Sequence, residues 1–500
     1  MKRSTIIGAV LATALTSTLI TTPTQATELT SDRSGEPVVV TGADIFGILG
    51  SRLQGVPVED ITAHSWNGSE WRRIPSQIDE RRDVRLAGCG FFNAYSGADV
   101  QNTYDYDGQE TNGFDADDEL VFMLGDAGQL APESELPDGA TARTDLQVTD
   151  PVTKQQAWVS LVTGATAAAP DPYVTYQSDD PDNSADIPCN KESGYNRNDL
   201  IATTGYQMHF DSRWGIDSIR IRTGANDATG TPEERLLATN GLGPDVIDRW
   251  KGRAYAGDGS SQTEWYWSQH STMLGTIVGP VRVIRATNGA ASGTNVTRTI
   301  IAYPNTFRQE FVLHLHPMPP EGFYGYWDMD CSKGDWTFYN SLNEQGVPVD
   351  GVPDPVGDIR DDFAHQYPLF YSPRADLIVP PVGTQWEQIS GPNGGWVGVW
   401  SQPKPVRGLV SGYYRDDHSY NDRTGSLPEG AQGACGSFGM HAHLADDSDG
   451  PGPTGEAGLS PLIENIIRQE HYLTGPNTPN VGAAVQQRHD NPVEVSAIER

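Results

Sequence analysis

Positive charge is scarce in this 500-residue sequence. The chain has 34 Lys and Arg residues, of which six are Lys, against 66 Asp and Glu, and its net charge is −32. A strongly negative protein repels the phosphates of nucleic acids and the headgroups of anionic membranes. The composition therefore predicts a soluble protein with no nucleic-acid partner.

Long hydrophobic runs are also lacking, apart from one near the N-terminus. Lys2 and Arg3 precede a weakly apolar run over residues 5–20, and Ala26 ends a stretch of small residues. This pattern is typical of an export signal, whereas a membrane-spanning helix needs about 20 mostly apolar residues. The sequence predicts a signal peptide over residues 1–26, cleavage after Ala26, and a secreted mature protein without a membrane span.

Cysteine is rare as well. Cys89, Cys189, Cys331 and Cys435 are far apart, which excludes a CxxC-type metal motif. In an exported protein, an even number of cysteines predicts disulfides. Two bridges are expected, and all three connectivities remain open.

Helical periodicity is the fourth scarce feature. The chain has 54 Gly and 35 Pro residues, and short alternating runs rich in Val, Ile, Thr and aromatic residues lie between them. Such runs predict many short strands joined by turns. The clearest are residues 156–162, 218–223, 279–286, 297–303, 309–316 and 395–401. Only residues 232–253 and 460–473 show apolar spacing that predicts helices.

A polar stretch rich in Ala, Pro, Asp and Ser suggests how the chain divides. It runs over residues 164–187 and is predicted to be a linker. Residues 27–163 would then form an N-terminal β domain, and residues 188–500 a larger β domain.

Two motifs of the N-terminal domain carry a family resemblance. One runs over residues 71–80 (WRRIPSQIDE) and the other over residues 114–122 (FDADDELVF). Together they resemble the front domain of an exported bacterial family of unassigned function, near the exo-rhamnogalacturonan-lyase-like and galactose-mutarotase-like polysaccharide-processing proteins. The resemblance implies a mainly β fold, in which a small N-terminal β barrel or sandwich precedes a large antiparallel, mutarotase-like β-sandwich with a few helical inserts. It also implies an extracellular polysaccharide or oligosaccharide as partner.

Two histidine pairs are candidate functional residues. His314 and His316 lie two residues apart in a predicted strand, so their side chains share a face, and imidazole is suited to proton transfer near neutral pH. His441 and His443 repeat this spacing, and Asp446 follows them. His and Asp are zinc ligands, so this second pair is a candidate metal site. Packing or surface histidines are the alternative for both pairs.

An acidic segment is a weaker candidate for a cation site. Oxygen-rich loops of exported proteins often hold Ca²⁺, but this segment has Glu110 where the EF-hand pattern requires Gly. A solvated acidic turn is the preferred interpretation, so neither calcium nor zinc is certain. Its acidic residues are Asp105, Asp107, Glu110, Asp115, Asp117, Asp118 and Glu119.

The aromatic segment after the first histidine pair is the predicted sugar-binding site. Sugar rings stack on aromatic faces, and we assign substrate binding to Tyr326, Trp327 and Asp328. Tyr324 with His314 or His316 would suit β-elimination from a uronic acid, with an arginine binding the substrate carboxylate. The candidate arginines are Arg282, Arg285 and Arg298.

Three hypotheses follow for the function of the protein. The first is a secreted, polysaccharide-lyase-like enzyme that uses His, Tyr and Arg residues. The second is a non-catalytic protein that binds a glycan or another surface partner. The third is a metal-dependent hydrolase that uses the two histidine pairs.

Overall fold

The computed structural model describes most of the chain between residues 29 and 499. The described residues are 29, 33–47, 52–85, 100–110, 112–178, 196–255, 261–289, 296–314, 323–341, 343–352, 385–401, 408–419, 434–444 and 464–499, with only the backbone described at some strand ends. The predicted signal peptide, Cys89 and Cys189 lie outside these residues.

Strands dominate the described residues. The first group is β1 (Pro37–Thr41), β2 (Ile61–Trp66), β3 (Trp71–Arg73), β4 (Ser76–Asp79), β5 (Arg81–Arg85), β6 (Val100–Tyr104), β7 (Glu119–Met123), β8 (Ala142–Thr149) and β9 (Gln156–Thr163). The second group is β10 (Val174–Gln177), β11 (Asn196–Thr203), β12 (Tyr206–Ser212), β13 (Ser218–Arg222), β14 (Leu242–Asp245), β15 (Ile247–Tyr255), β16 (Ser261–Thr263), β17 (Thr272–Val278), β18 (Val283–Asn288), β19 (Val296–Ala302) and β20 (Thr306–His314). The last group is β21 (Phe323–Met329), β22 (Trp336–Asn340), β23 (Asn343–Val349), β24 (Gln385–Gly391), β25 (Gly394–Ser401), β26 (Gly408–Asp417), β27 (Ala434–Leu444), β28 (Glu464–Thr474) and β29 (Glu494–Glu499).

The helices are short by comparison. The α-helices are α1 (Gly42–Phe46), α2 (Pro232–Leu237), α3 (Glu264–Gln269) and α4 (Gly482–Asp490), and 3₁₀ turns cover Val58–Asp60, Leu124–Asp126 and Cys331–Lys333. Among the residues described here, no helix is long and apolar enough to cross a membrane.

The N-terminal part contains three antiparallel sheets, ordered β29-β8-β9-β2-β3, β1-β7-β4 and β5-β6. The last strand of the chain, β29, pairs with β8 in the first of these sheets. Leu120, Phe122, Leu146 and Leu161 belong to the core of this part. The predicted domain boundary over residues 164–187 stays a prediction.

The larger part is a β-sandwich built from three antiparallel sheets. A nine-stranded sheet has the order β17-β18-β19-β20-β28-β25-β24-β22-β23. Two five-stranded sheets, β10-β11-β12-β13-β14 and β16-β15-β21-β27-β26, share one core with it. Phe311 and Trp396 of the nine-stranded sheet meet Ile219, Trp250 and Trp327 of the other two in that core.

The predicted mainly β fold is confirmed, and so are several of its clearest strands, whereas the segment predicted over residues 279–286 is a strand only from Val283. The predicted segments 156–162, 297–303 and 395–401 correspond to β9, β19 and β25. In β13 the buried residues alternate with half-buried ones, as expected for a strand with one covered face.

Both predicted helical segments were largely wrong. Within residues 232–253 only α2 is helical, and Thr231 and Glu234 form its capping box. The rest contributes to β14 and β15. Residues 464–474 form β28, between β20 and β25 of the nine-stranded sheet. Burial alternates along β28, but the buried positions include Gln469 and His471, so the polarity of the sequence does not alternate.

Candidate functional site

One face of the sheet β16-β15-β21-β27-β26 is strongly polar. Arg249, Lys251 and Arg253 alternate along β15 with Trp250 and Ala254. Trp250 and Ala254 point into the sandwich core, so the three basic side chains point away from it. All three basic residues are nevertheless buried.

Strand β21 places two phenols and a carboxylate on this same face. Arg249, Lys251 and Arg253 pair in the ladder with Asp328, Tyr326 and Tyr324, respectively. Directly paired residues of an antiparallel ladder share a face. Trp327 lies between the two tyrosines and Asp328 in sequence and packs in the core instead.

A third phenol reaches the face from β26. Tyr413 lies across Gly439 of β27 from Tyr326, and its ring centroid is 4.8 Å from that of Tyr326 and 5.5 Å from that of Tyr324. A Cβ at Gly439 would lie 2.3 Å from the Gly325 carbonyl oxygen. Glycine is therefore required where β27 passes between the tyrosines.

Charged side chains of this polar face form ion pairs. The Lys251 ammonium lies 2.6 Å from Asp328, whose other oxygen accepts hydrogen bonds from the Ser437 hydroxyl at 2.6 Å and the Cys435 amide at 3.0 Å. Arg253 pairs with Glu264 of α3. The polar face is defined here by Arg249, Lys251, Arg253, Tyr324, Tyr326, Asp328, Tyr413, Arg415 and Ser437.

The polar face combines groups that suit carbohydrate chemistry. Phenols donate and accept hydrogen bonds and transfer protons, and cations bind carboxylates.

The structure brings together only part of the predicted site. Tyr324, Tyr326 and Asp328 share the polar face. The backbone of His441 pairs directly with Tyr324, and that of His443 pairs with Leu409. The side chains of both histidines lie outside the described residues, as does Asp446.

His314 belongs to a different sheet. Its backbone ends β20 in the nine-stranded sheet and pairs with Glu464. Its side chain and the whole of His316 lie outside the described residues. The catalytic role assigned to these two histidines stays a prediction.

The candidate arginines Arg285 and Arg298 lie inside the sandwich. The Arg298 guanidinium donates to the Gln309 side-chain oxygen at 2.6 Å and stacks 3.9 Å from the Trp250 ring centroid. Burial, and then the charge of Arg285, lower the pKa of Arg298 well below its usual value. Arg285 is bonded to Asp199 at 3.0 Å. Both side chains therefore have partners within the protein.

Arg282 lies between the N-terminal part and the nine-stranded sheet. Its guanidinium is 2.7 Å from Asp79 and 2.8 Å from Glu119, and its amide donates to the Gln77 side-chain oxygen at 3.0 Å. Gln77, Asp79 and Glu119 belong to the two N-terminal motifs. These motifs therefore form a docking contact for Arg282, which we call the Arg282 clamp.

The acidic segment is bonded to strand β5 and to its own backbone amides. Asp105 pairs with Arg82 at 2.8 Å and accepts the Glu110 amide at 2.6 Å. Asp118 accepts the amides of Arg81 and Asp115 at 2.9 and 2.8 Å, and burial raises the pKa of Asp118 to about 6.

One further cluster contains residue types that bind metal ions. Within the described part of the chain, the potential ligand atoms of Cys331, Asp416 and Cys435 form the one set of three that lies within 4.8 Å. Cys331 and Cys435 are joined in a disulfide, so neither offers a thiolate. A calcium or zinc site thus rests on the sequence alone.

Sequence reasoning assigned none of four further polar-face residues to the site, namely Lys251, Arg253, Tyr413 and Arg415. The signal for the first two was present, because basic residues at 249, 251 and 253 have the period of a strand. This strand period was overlooked because residues 232–253 were interpreted as a helix.

Comparisons with known proteins do not identify the chain. No known family model and no curated protein matches it. A solved structure described as a "putative aldose 1-epimerase" from Escherichia coli K12 matches with a TM-score of 0.25 and 9% identity, covering 60% of this chain and 99% of that one. A copper-containing benzylamine oxidase from Hansenula polymorpha matches with a TM-score of 0.25 and 10% identity, covering 74% of this chain and 75% of that one. Similarities this remote carry no functional argument.

Proposed function

We propose that this chain is a secreted carbohydrate-active enzyme that cleaves a uronic-acid-containing glycan by β-elimination at the polar face. The observation that carries the proposal is the meeting of Tyr324, Tyr326 and Tyr413 on a face that also bears Lys251 and Arg415. The export pattern at the N-terminus supports secretion. The Cys331–Cys435 disulfide supports it too, because disulfides persist mainly in oxidising compartments.

The reaction needs three groups, and the polar face offers all three. A base removes the C5 proton of the uronic acid, the electron pair forms a C4–C5 double bond, and the C4–O bond breaks. An acid protonates the leaving oxygen, and a cation binds the carboxylate. We assign proton transfer to Tyr324 and carboxylate binding to Arg415, and His441 is a second candidate for proton transfer because its backbone pairs with Tyr324.

The phenols of the polar face are buried. Tyr324 and Tyr413 expose 3% and 5% of their surface. A glycan therefore reaches the phenols only when the protein opens. Enclosure also strengthens electrostatic interactions with a bound carboxylate, because water is excluded.

The test is a panel of uronic-acid polymers assayed for the ultraviolet absorbance of unsaturated products. Tyr324→Phe removes one phenol oxygen and should lower the rate at least about 100-fold, the usual contribution of a proton-transfer group. Tyr266→Phe on α3 is the matched control, because Tyr266 is exposed and lies outside the polar face, and it should leave the rate unchanged.

Two results would refute the proposal. One is the absence of absorbance from the wild-type protein on every polymer of the panel. The other is full activity of Tyr324→Phe. Binding on a glycan array without turnover would support the non-catalytic glycan-binding alternative.

A further inference from the structure

A lysine of the polar face is buried against a carboxylate. Lys251 of β15 exposes 0% of its surface, and Asp328 of β21 exposes 2%. The Lys251 Nζ atom lies 2.6 Å from Asp328 Oδ2. Lysine is almost never fully buried unless it is paired, because removing its charge from water is costly.

The strand ladder brings these two side chains together diagonally. Lys251 pairs with Tyr326 and Asp328 pairs with Arg249, so the two residues share a face in adjacent pairs of that face. A carboxyl C–O bond is about 1.2 Å long, so Asp328 Cγ lies within about 3.8 Å of Lys251 Nζ. This distance is close to the roughly 3–3.5 Å at which reacting atoms are held for attack.

Two hydrogen-bond donors are directed at the other carboxyl oxygen of Asp328. Its Oδ1 atom accepts a hydrogen bond from the Ser437 hydroxyl at 2.6 Å and another from the Cys435 amide at 3.0 Å. Donors directed at one oxygen stabilise the negative charge that develops there when a nucleophile adds to the carboxyl carbon. The Asp328 carboxyl group is therefore arranged to accept an amine.

We infer that Lys251 and Asp328 become joined by an amide bond between Lys251 Nζ and Asp328 Cγ. Proton transfer from Nζ to Oδ2 first gives a neutral amine and a carboxylic acid, and burial favours this neutral pair because charges are costly to bury. The Nζ lone pair then adds to Cγ, and Oδ1 carries the negative charge. Oδ2 leaves as water with two protons that come from Nζ, so the reaction consumes no oxidant and no other substrate.

This amide bond ties β15 to β21 within the sheet. The Cys331–Cys435 disulfide joins a residue just after β21 to β27, so the two bonds together link three neighbouring strands. The inference is independent of the proposed function, because the reaction needs no glycan. The proton-transfer and carboxylate-binding roles belong to Tyr324 and Arg415, whose side chains are unchanged.

Intact-mass spectrometry of the denatured and fully reduced protein tests for the amide bond. The wild type should weigh about 18 Da less than its sequence, which is the mass of the released water. Lys251→Arg keeps a cation beside Asp328 but removes the nucleophile, because a guanidinium stays protonated, so its mass should equal the calculated one. Lys333→Arg is the matched control, because Lys333 pairs with Asp330 at the surface, and it should keep the mass deficit of the wild type.

Tryptic peptides of the wild type locate the bond without any variant. Trypsin does not cleave after an acylated lysine, so residues 250–253 should appear as one peptide attached to residues 309–333. In an unmodified chain, trypsin cleaves after Lys251 instead. The inference is overturned if the wild type has its full calculated mass, if residues 252–253 are released as a free dipeptide, or if Lys251→Arg also lacks one water.

Discussion

The Arg282 clamp joins the N-terminal part to the nine-stranded sheet. The variant Arg282→Met tests how much the clamp contributes to the free energy of unfolding. Methionine keeps the apolar stem but removes the guanidinium. Asp79, which is 2% exposed, then loses its charge partner. Glu119 keeps Arg81 at 3.0 Å, and the Tyr104 hydroxyl donates to it at 2.8 Å.

The magnitude follows from the uncompensated charge on Asp79. Breaking a buried ion pair by removing one partner costs about 3–5 kcal/mol. Burial opposes ionisation of Glu119, yet Arg282 and Arg81 outweigh it and hold the pKa of Glu119 at about 2. Burial outweighs Arg282 at Asp79 and raises its pKa, and Glu119 keeps Arg81, so the loss should lie in the lower part of this range.

Urea unfolding followed by tryptophan fluorescence is a suitable assay. A loss of about 3 kcal/mol should move the midpoint to lower urea by up to about 1 M, because m exceeds about 3 kcal/mol/M in a chain of this size. Arg235→Met is the matched control, because Arg235 pairs with Asp171 at the surface and an exposed pair contributes about 0–1 kcal/mol.

Asp79→Asn in the Arg282→Met background tests whether the unpaired Asp79 charge causes the loss of stability. It removes the stranded charge, so the double variant should be more stable than Arg282→Met alone. The clamp argument fails if Arg282→Met costs no more than Arg235→Met, or if Asp79→Asn adds its full cost to that of Arg282→Met.

Two further predictions concern pH and the disulfide. Burial, and then the charge of Arg73, lower the pKa of His64 to about 4, so its stabilising contribution is present above pH 6.5 and is lost as the pH falls towards 4. Thermal midpoints of the wild type should fall more steeply than those of His64→Gln between pH 7 and pH 4, and parallel curves would contradict this. The Cys331–Cys435 bridge spans 104 residues, so replacing both cysteines by serine should cost about 2–5 kcal/mol in urea unfolding. Unchanged stability of the wild type under reducing conditions would refute the second prediction.

Much of the strand content was predictable because strand periodicity is a local property. Residues 218–222 alternate in polarity because one face packs on a core, and they form the expected strand β13. Residues 464–474 did not follow this rule, because Gln469 and His471 occupy buried positions of β28. Gln469 is hydrogen-bonded there to Glu387 of β24, a partner that lies two strands away in the sheet.

The candidate site was predictable only in part for the same reason. Tyr324, Tyr326 and Asp328 lie within one strand, and their shared face follows from its alternation. Lys251 joins them because β15 pairs with β21, and Tyr413 joins them because β27 pairs with both β21 and β26. No local pattern in the sequence indicates which strands pair.

The sequence by itself determined the acidic charge, the strand-and-turn composition and the two N-terminal motifs, because each is a property of neighbouring residues. Only the tertiary structure decided what those motifs contact. Gln77 and Asp79 meet Arg282, more than 200 residues later in the chain, across a buried interface. The free energy of a buried charge depends on its partners in space, and a single sequence does not specify those partners.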